Sequence, residues 1–337
     1  MSESIRAAVV GAGAWGTALG TLLAENGHDV RIWSYEAEDA AAISDRRQNP
    51  YLEGVRLPDG VRAETRLAAT VGGASLVVSA SPSQFVRRVM AEAAPHLEPD
   101  AIIVGASKGV ETGTLLRVDE VLTQVLPAPA MASFCVISGP SFAREVAEGQ
   151  PTAVVLAGRD ARARERARAF FQTTSFRVYT TTDVVGVELG GALKNVIALA
   201  AGVTAGLGQG HNTTAALITR GLAEITRLGL ALGAERATFY GLAGLGDLVL
   251  TCTGSLSRNR AVGYRLGKGE SLDAILSDMS AVAEGVETTR AAFELARRHG
   301  VEMPIIEQVH AILYEGRSPS EAVRALMSRE PKPEEWS

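Results

Sequence analysis

The sequence contains very little cysteine and no excess of basic residues. Its 337 residues include only two cysteines, Cys135 and Cys252. Two cysteines cannot build a disulfide framework or a zinc site, so we expect ordinary buried thiols in a protein of the reducing cytoplasm. Asp and Glu number 38 against 33 Lys and Arg, which gives a net charge of −5. This mildly acidic balance argues against nucleic acid as the main partner.

The sequence also lacks a convincing membrane span or secretion signal. Residues 7–24 are uncharged, but they contain several glycines and no clear cleavage site follows them. Residues 184–207 are apolar for long enough to cross a bilayer, yet Glu188, Lys194 and Asn195 lie within this stretch. A charge near the bilayer centre costs roughly 3 kcal/mol even on a lenient insertion scale. We therefore predict a buried helix and no membrane span.

Glycine is the one residue type in clear excess. The 35 glycines make up roughly a tenth of the chain, against about 7% in an average protein. They follow no short repeat, which excludes a collagen-like or low-complexity protein. Their positions are therefore more informative than their number.

Short apolar runs alternate with helical segments up to about residue 180, and the pattern becomes purely helical after Asp183. Seven runs predict strands: Ile5–Val10, Asp29–Trp33, Ser75–Ser79, Ile102–Gly105, Phe134–Ile137, Thr152–Leu156 and Phe176–Tyr179. Alternation of this kind predicts parallel strands with crossover helices on both faces. We predict an α/β fold with an N-terminal doubly wound parallel (Rossmann-like) sheet and an all-α C-terminal domain.

This pattern also predicts the domain borders. Residues 1–183 form the predicted dinucleotide-binding domain, and residues 184–327 form a helical substrate or catalytic domain. Residues 328–337 contain two prolines and five charged residues, so they predict a flexible tail.

A glycine-rich turn follows the first predicted strand directly. Gly11, Gly13 and Gly16 match the pattern Gly-x-Gly-x-x-Gly at the start of a helix. The first glycine permits a tight turn, the second lets the backbone approach a pyrophosphate, and the third lets the helix pack on the strand. Free N–H groups and the helix dipole favour the anion. The turn therefore predicts a dinucleotide site.

The second strand does not end in the acidic residue that usually binds the ribose of NAD. Ser34 stands at that position, followed by Tyr35 and Glu36. A missing carboxylate removes the repulsion that would exclude the phosphate of NADP. We therefore predict that NADP(H) is accepted, with Tyr35 near the adenosine, although Glu36 leaves a preference for NAD open.

The ends of three further strands carry small residues and one cation. Ser79–Pro82, Ser107–Gly109 and Ser138–Ser141 each follow a predicted strand. Ligands of open parallel sheets bind beyond the carboxyl ends of the strands. The small residues leave space there and Lys108 adds a positive charge, so these segments predict a cofactor cleft.

Lys194 is a lysine in an apolar helical segment. Gly190 and Gly191 lie one turn before it, which predicts a notch beside the ammonium group; the alternative is a lysine that reaches the surface. Burial and a second cation such as Lys108 would lower the pKa of Lys194, whereas a carboxylate such as Asp247 would raise it. A lysine with a lowered pKa can exchange a proton with an alcohol oxygen.

A second glycine-rich segment precedes a predicted anion site. Gly241, Gly244 and Gly246 lead to the lone acid Asp247, and Ser257–Asn259 then opens a predicted helix. The arginine of that segment can bind a phosphate with two hydrogen bonds, beside the free N–H groups of the helix. A capped surface helix is the alternative. Two anion sites, one for a dinucleotide and one for a substrate, predict a small phosphorylated substrate.

Seven segments are specific in their joint order and spacing, although no single one is. They are Gly11–Gly16, Ser107–Glu111, Ser138–Ala143, Ala192–Val196, Gly244–Leu248, Ser257–Arg260 and Ala283–Gly285. Over nearly its whole length the chain resembles the bacterial-type NAD(P)-dependent glycerol-3-phosphate dehydrogenases. It departs from them at Ala14, where many members have serine, and at Tyr35 and Glu36, where a basic residue is often found.

The resemblance implies reversible reduction of dihydroxyacetone phosphate to sn-glycerol 3-phosphate, a precursor of phospholipids, with NAD(H) or NADP(H). Lys194 is then the proton acceptor in the oxidation direction, and Lys108 and Asp247 complete the predicted catalytic set. The predicted substrate-binding residues are Lys108, Gly139, Ser141, Lys194, Asp247, Ser257, Arg258 and Asn259. The predicted cofactor-binding residues are Gly11, Gly13, Ala14, Trp15, Gly16, Tyr35, Lys108, Ala143, Arg258, Val282 and Glu284. No metal site is predicted.

Two other functions stay open from the residues alone. One is a different two-domain NAD(P)-dependent dehydrogenase, acting on a hydroxy acid or a sugar acid. The other is a regulator that senses NAD(H) without catalysis, although Lys194 and Asp247 argue against it because a sensor needs no proton shuttle. An apolar helical domain is compatible with a homodimer and does not establish one.

Overall fold

The structure of the protein is a computed structural model that describes residues 4–279, 283–331 and 333–334. Val282, which we predict at the cofactor, lies outside the described residues. So do residues 332 and 335–337 of the predicted tail.

Eight strands form a single sheet. They are β1 (Arg6–Val10), β2 (Asp29–Trp33), β3 (Val61–Glu64), β4 (Leu76–Ser79), β5 (Ile102–Gly105), β6 (Cys135–Ser138), β7 (Thr152–Gly158) and β8 (Phe176–Thr181). Their order is β3-β2-β1-β4-β5-β6-β7-β8, and Val10 at the end of β1 pairs with both Trp33 and Ser79. The carboxyl ends of β1, β2 and β4 therefore meet where the strand order reverses, which is the usual ligand position in such sheets.

Helices pack on the sheet, and the described elements of regular structure that follow it are all helical. The helices between strands are α1 (Ala14–Glu25), α2 (Ala37–Ala41), α3 (Leu67–Val71), α4 (Val86–Ala93), α5 (Val118–Val125), α6 (Ala128–Ala132), α7 (Ala143–Ala147) and α8 (Ala161–Phe171). Those after β8 are α9 (Val184–Gly206), α10 (His211–Ala231), α11 (Arg236–Phe239), α12 (Asp247–Thr253), α13 (Arg258–Gly267), α14 (Leu272–Ser277), α15 (Glu284–His299), α16 (Pro304–Tyr314) and α17 (Pro319–Met327).

The predicted fold class is confirmed, with two corrections to the sheet. Strand β3 is missing from the prediction because it is a short edge strand in which only Val61 is buried. The prediction that all strands are parallel is also wrong, since β7 runs antiparallel to β6 and β8 follows the direction of β7. The connection from β6 to β7 contains only the five-residue helix α7. Such a helix rises roughly 8 Å and is too short to return the chain along the sheet.

Helix α9 is the core of the helical part. It is long and apolar enough to cross a membrane, but 94% of its most apolar window is buried inside the protein. Arg236–Thr253 and Arg258–Gly267 are long and apolar enough to cross a membrane only when taken together, and they are bent by 48° against each other. Helix α9 is thus a buried core helix, as predicted.

Glycines on α9 and α13 let these two helices touch backbone to backbone. A methyl group at Gly202 would overlap the carbonyl oxygen of Arg260, and one at Gly263 would overlap the carbonyl oxygen of Leu199. Glycines four residues further along each helix make the same kind of contact. This close packing fixes the N-terminal end of α13 beside the middle of α9, where Lys194 lies.

A buried carboxylate ties α9 to the sheet part. Glu188 accepts a hydrogen bond from the backbone N–H of Asp119 at the start of α5, at 3.0 Å, and Arg117 lies 3.7 Å from its other oxygen. Burial raises the pKa of Glu188, and the nearby carboxylate of Asp119 raises it further. The first half of α9 is therefore held against α5 by polar contacts as well as by apolar packing.

Candidate active site

The glycine turn between β1 and α1 has the shape that a pyrophosphate requires. Gly11 has a φ of +132°, and a Cβ there would lie 2.7 Å from the carbonyl carbon of Ala80. A Cβ at Gly16 would overlap the carbonyl oxygen of Gly11, whereas a Cβ at Gly13 would meet no atom of the described residues within 4 Å. Helix α1 begins beside this open space without a side-chain cap. The turn therefore fits a dinucleotide whose pyrophosphate lies on the helix N-terminus.

Trp15 follows the turn and carries an unpaired donor. Its ring is half-buried, and its Nε1–H is fully buried with no acceptor among the described residues. Because buried donors are nearly always paired, this group is suited to an oxygen of a bound ligand. Ala14 and Ala143 both pack on the apolar core of this face of the sheet, and α1 packs against α7.

Ser34 stands at the end of β2, at the position where a carboxylate would bind the ribose of NAD. Ser34 is buried, and its backbone N–H donates to the carbonyl oxygen of Glu64 at 2.9 Å. Tyr35 is 71% exposed, with its ring 6.3 Å from that of Trp33 in an edge-to-face arrangement. Glu36 is exposed at the start of α2. The residues that follow Ser34 are thus an exposed aromatic ring, Tyr35, and an exposed acid, Glu36, two positions further along the chain than the expected carboxylate.

Asp247 holds two lysines at the junction of the sheet and the helical part. Its Oδ1 accepts a hydrogen bond from Nζ of Lys194 at 2.6 Å, and its Oδ2 accepts one from Nζ of Lys108 at 2.7 Å. The side chain of Asp247 is only 1% exposed, and those of Lys194 and Lys108 are 10% and 15% exposed. Lys108 follows β5, Lys194 lies in α9, and Asp247 begins α12. The pairing that the sequence predicts between Lys194 and Asp247 is present, and Lys108 shares the same carboxylate.

The environment lowers the pKa of Lys194 to about 8. Burial is the largest cause, because it penalises the charged ammonium, and the neighbouring charge of Lys108 acts in the same direction. The carboxylate of Asp247 opposes both effects. An amine with a pKa near neutrality can both donate and accept a proton under physiological conditions.

The notch that we predict beside Lys194 exists, but protein groups fill part of it. A Cβ at Gly191 would lie 2.8 Å from Oγ of Ser138 and 3.5 Å from Cγ of Lys108. A Cβ at Gly190 would lie 2.6 Å from the carbonyl oxygen of Ala243. The two glycines therefore admit the stem of Lys108 and the segment before Asp247. Lys194 is buried and does not reach the surface.

The loop after β6 borders the two lysines. Nζ of Lys108 lies 3.4 Å from the carbonyl oxygen of Gly139, which also accepts a hydrogen bond from Oγ of Ser141 at 2.9 Å. Gly139 has a φ of +145°, and a Cβ there would lie 2.9 Å from Cα of Val154. A side chain at position 139 would therefore displace the loop from β7 and from Lys108.

The N-terminus of α13 carries one exposed cation, Arg258, and two residues with hydrogen-bond partners inside the protein. Oγ of Ser257 accepts a hydrogen bond from the N–H of Arg260, so this side chain caps the helix. Arg258 is exposed. Oδ1 of Asn259 accepts a hydrogen bond from the N–H of Gly285 at 2.9 Å, which joins α13 to the start of α15.

Glu284, at the first position of α15, joins this end of the helical part to the sheet. Its carboxylate accepts a hydrogen bond from the backbone N–H of Ser83 in the turn after β4, at 3.2 Å. Burial raises the pKa of Glu284, whereas the Ser83 N–H and the charge of Arg258 favour its ionised form. The turn after β4 and α15 therefore meet at the edge of the cleft.

Sequence reasoning missed two buried residues at this site. Thr251 lies one turn after Asp247, and its hydroxyl is 3.4 Å from Oγ of Ser257; its spacing of four from Asp247 on a helix is the signal that could have found it. Asn49 donates a hydrogen bond to the carbonyl oxygen of Ala12 in the glycine turn. The Asn-Pro pair at residues 49–50 signals a local turn and nothing more.

Both cysteines are buried free thiols, as predicted. Burial raises the pKa of each to about 12, which keeps them in the unreactive thiol form. Within the described ranges there is no group of three or more His, Cys, Asp or Glu side chains that could hold a metal ion.

Comparison with known families covers both parts of the chain. Residues 6–164 match the family model described as NAD-dependent glycerol-3-phosphate dehydrogenase N-terminus, and residues 183–324 match the one described as NAD-dependent glycerol-3-phosphate dehydrogenase C-terminus. The chain belongs to the NAD-dependent glycerol-3-phosphate dehydrogenase family. The resemblance carried by the seven segments is thereby confirmed.

Individual glycerol-3-phosphate dehydrogenases match along their full length. The glycerol-3-phosphate dehydrogenase (NAD(P)+) of Geobacter sulfurreducens is 54% identical over 337 residues, which cover 100% of both chains. The enzyme of the same name from Geobacter sp. strain M21 is 53% identical over 335 residues, or 99% of each chain. A crystal structure of glycerol-3-phosphate dehydrogenase from Coxiella burnetii superposes with a TM-score of 0.92 at 38% identity, covering 97% of this chain and 99% of that one.

Proposed function

We propose that this protein interconverts dihydroxyacetone phosphate and sn-glycerol 3-phosphate with NAD(H) or NADP(H). The observation that carries the proposal is Asp247, which binds the buried ammonium group of Lys194 at 2.6 Å and that of Lys108 at 2.7 Å. These groups lie between a glycine turn suited to a dinucleotide and a helix N-terminus suited to a phosphate. The names of the full-length relatives support the same reaction.

The residues at the glycine turn would hold the dinucleotide. Gly11, Gly13 and Gly16 leave room for the pyrophosphate, and Trp15, Tyr35, Ala143 and Glu284 line the adjoining surface. When bound, the nicotinamide supplies a hydride to the carbonyl carbon of the substrate and takes it back in the opposite direction.

Lys194 supplies the proton that the carbonyl oxygen needs. In the reduction direction its ammonium group donates a proton to that oxygen, and in the oxidation direction its neutral amine removes the hydroxyl proton of glycerol 3-phosphate. Asp247 keeps Nζ of Lys194 in one position and favours its charged form. Lys108 adds a second positive charge, which stabilises negative charge on the substrate oxygen.

Arg258 and the N-terminus of α13 would bind the phosphate of the substrate. The guanidinium is exposed and suited to a phosphate, while the free N–H groups and the NH2 of Asn259 add donors. Gly139, Ser141 and Ser257 complete the proposed substrate surface. Binding of the phosphate, away from the reacting carbon, positions the carbonyl group for transfer.

The pKa of Lys194, near 8, predicts opposite pH dependences for the two directions. Reduction needs the ammonium form, so kcat/KM for dihydroxyacetone phosphate falls as the pH rises through about 8. Oxidation needs the neutral amine, so kcat/KM for glycerol 3-phosphate rises over the same range. Initial rates measured from about pH 6 to about pH 10 check this; a profile with the same sign in both directions would contradict it.

Replacing Arg258 with alanine tests the phosphorylated substrate. We expect kcat/KM for dihydroxyacetone phosphate to fall by about a hundredfold, because a charge-assisted, two-point contact is lost. The weak rate with unphosphorylated dihydroxyacetone should stay nearly unchanged. R265A is the matched control, since Arg265 lies near the other end of α13 and pairs with Glu270 at the surface.

The comparison of the two acceptors distinguishes the proposed function from its alternative. An equal loss of activity with phosphorylated and unphosphorylated acceptors would contradict the phosphate site at α13. Preference for a hydroxy acid or sugar acid over glycerol 3-phosphate would favour a different dehydrogenase of the same architecture.

The cellular setting follows from the same proposal. We infer a cytoplasmic enzyme without a membrane span that supplies glycerol 3-phosphate for phospholipid synthesis, supported by its buried free thiols and the buried helix α9. We also propose a dinucleotide-binding domain in residues 1–183 and a catalytic domain in residues 184–327, because β8 ends at Thr181 and α9 begins at Val184. Light scattering measures whether the protein is a homodimer.

A further inference from the structure

We propose that Asn49 is a positioning residue for the dinucleotide. It lies outside the glycine turn but fixes the peptide between Ala12 and Gly13, so that the N–H of Gly13 faces the bound pyrophosphate. The inference rests on the proposed function, because it takes the glycine turn to be the dinucleotide site.

The side chain of Asn49 is buried and uses both ends of its amide. Nδ2 donates hydrogen bonds to the carbonyl oxygen of Ala12 at 2.8 Å and to Oγ1 of Thr17 at 2.6 Å. Oδ1 accepts a hydrogen bond from the N–H of Tyr51 at 2.8 Å. The Tyr51 contact fixes which end of the amide is the oxygen, so the NH2 group must point at the glycine turn. Asn49 is only 2% exposed.

The contact with Ala12 decides how the turn presents its N–H groups. A trans peptide is planar, and its C=O and N–H point in opposite directions. Because Asn49 holds the Ala12 carbonyl towards the protein interior, the N–H of Gly13 points away from it. A Cβ added to Gly13 would meet no described atom within 4 Å, so there is open space beside this residue. The open space is the one suited to the pyrophosphate.

Among the described residues around the turn, no other side chain lies as close to the carbonyl oxygen of Ala12 as that of Asn49. Oγ1 of Thr17 also reaches the Ala12 carbonyl, but at 3.3 Å, and it is itself bound by Asn49. Gly11 and Gly13 have no side chains. The orientation of the turn therefore depends on a residue that is 37 positions away from Ala12. It belongs to the short segment after α2, in which Pro50–Leu52 form one helical turn.

Asn49→Ala tests the inference, and Asn26→Ala is its matched control. Asn26 ends the same helix α1, is partly buried, and also donates from Nδ2 to a backbone carbonyl, that of Phe170, at 2.9 Å. Both variants lose an amide that binds backbone, but only Asn49 contacts the glycine turn. Calorimetric titrations of the full-length wild type and both variants with NADH and with NADPH measure the dissociation constants, and thermal melts compare stability.

We expect Asn49→Ala to raise the dissociation constants for NADH and NADPH by the same factor, about tenfold, while Asn26→Ala changes neither. The factor is the same because the pyrophosphate is common to both dinucleotides. In steady-state assays KM for the dinucleotide rises, whereas kcat and KM for dihydroxyacetone phosphate stay within about twofold. Should Asn49→Ala fold poorly, Asn49→Ser keeps a short N-cap acceptor for the N–H of Tyr51 and loses the NH2 group that reaches Ala12, and the same weakening is expected.

Three results would overturn the inference. The first is a folded Asn49 variant that binds both dinucleotides like the wild type, and the second is an equal loss in Asn26→Ala. The third is a loss confined to NADPH, because the residue would then act at the adenosine ribose. If the wild type itself binds neither dinucleotide, the proposed function fails and this inference fails with it. If the wild type binds both dinucleotides and the Asn49 variant binds them equally well, the inference is contradicted but the proposed function is not.

Discussion

Replacing Lys194 with alanine lowers kcat in both directions by about a hundredfold to ten-thousandfold, the range that general acid–base catalysis contributes. The variant loses the amine whose pKa is lowered to about 8 by burial, an effect that the carboxylate of Asp247 opposes. Lys108 shares the same carboxylate but is fixed on its other oxygen. Dinucleotide binding should stay nearly intact, because the glycine turn lies in a different part of the chain.

Stopped-flow rates and a dinucleotide titration on the same preparation separate these two effects. K268A is the control, since Lys268 is an exposed lysine at the end of α13 with a cation–π contact to Tyr264. It should react like the wild type. Turnover retained in K194A would refute the role of Lys194, and a parallel loss of dinucleotide affinity would mean that the substitution had damaged the fold.

Replacing Asp247 with asparagine has the second large effect. The change leaves the buried ammonium group of Lys194 and the partly buried one of Lys108 without their counter-ion, and removing one partner of a buried pair is strongly unfavourable. Because Asp247 raises the pKa of Lys194, its loss moves that pKa further below 8. We expect kcat for reduction at neutral pH to fall by about a hundredfold, since less of Lys194 can donate a proton.

The pH profile makes this prediction specific. In D247N the decline of kcat/KM for dihydroxyacetone phosphate should begin at lower pH than in the wild type. If part of the variant were only unfolded, kcat/KM would be lower by the same factor at every pH. D278N is the control, because Asp278 is exposed and pairs with Arg265 at the surface. A D247N profile with an unshifted decline would show that Asp247 does not set the protonation of Lys194.

Much of the site follows from local sequence. The positions of Gly11, Gly13 and Gly16 after an apolar run encode the turn, because the conformation at Gly11 and the contact at Gly16 tolerate no side chain. The pairing of Lys194 with Asp247 also follows, since a buried ammonium needs a carboxylate and few acids lie in apolar surroundings. The place of Lys108 beside them follows from the rule that the carboxyl ends of parallel strands share one edge.

Other features of the structure depend on tertiary contacts that local sequence patterns do not predict. The direction of β7 depends on the length of α7, and Ser257 is a helix cap as well as a candidate ligand. Asn49 acquires its contact with Ala12 only when the segment after α2 folds back over the turn. Tertiary packing decides these points, whereas periodicity and motif spacing do not.

The most direct test of the central claim is the consumption of NADH and NADPH by the purified protein with dihydroxyacetone phosphate as the only acceptor. We predict that both dinucleotides are oxidised, with one glycerol 3-phosphate formed for each dinucleotide consumed, and that K194A consumes them at least about a hundredfold more slowly in the same assay. A strong preference for NADH would refute only the acceptance of NADPH. No consumption of either dinucleotide with dihydroxyacetone phosphate, together with turnover of a hydroxy acid, would contradict the account.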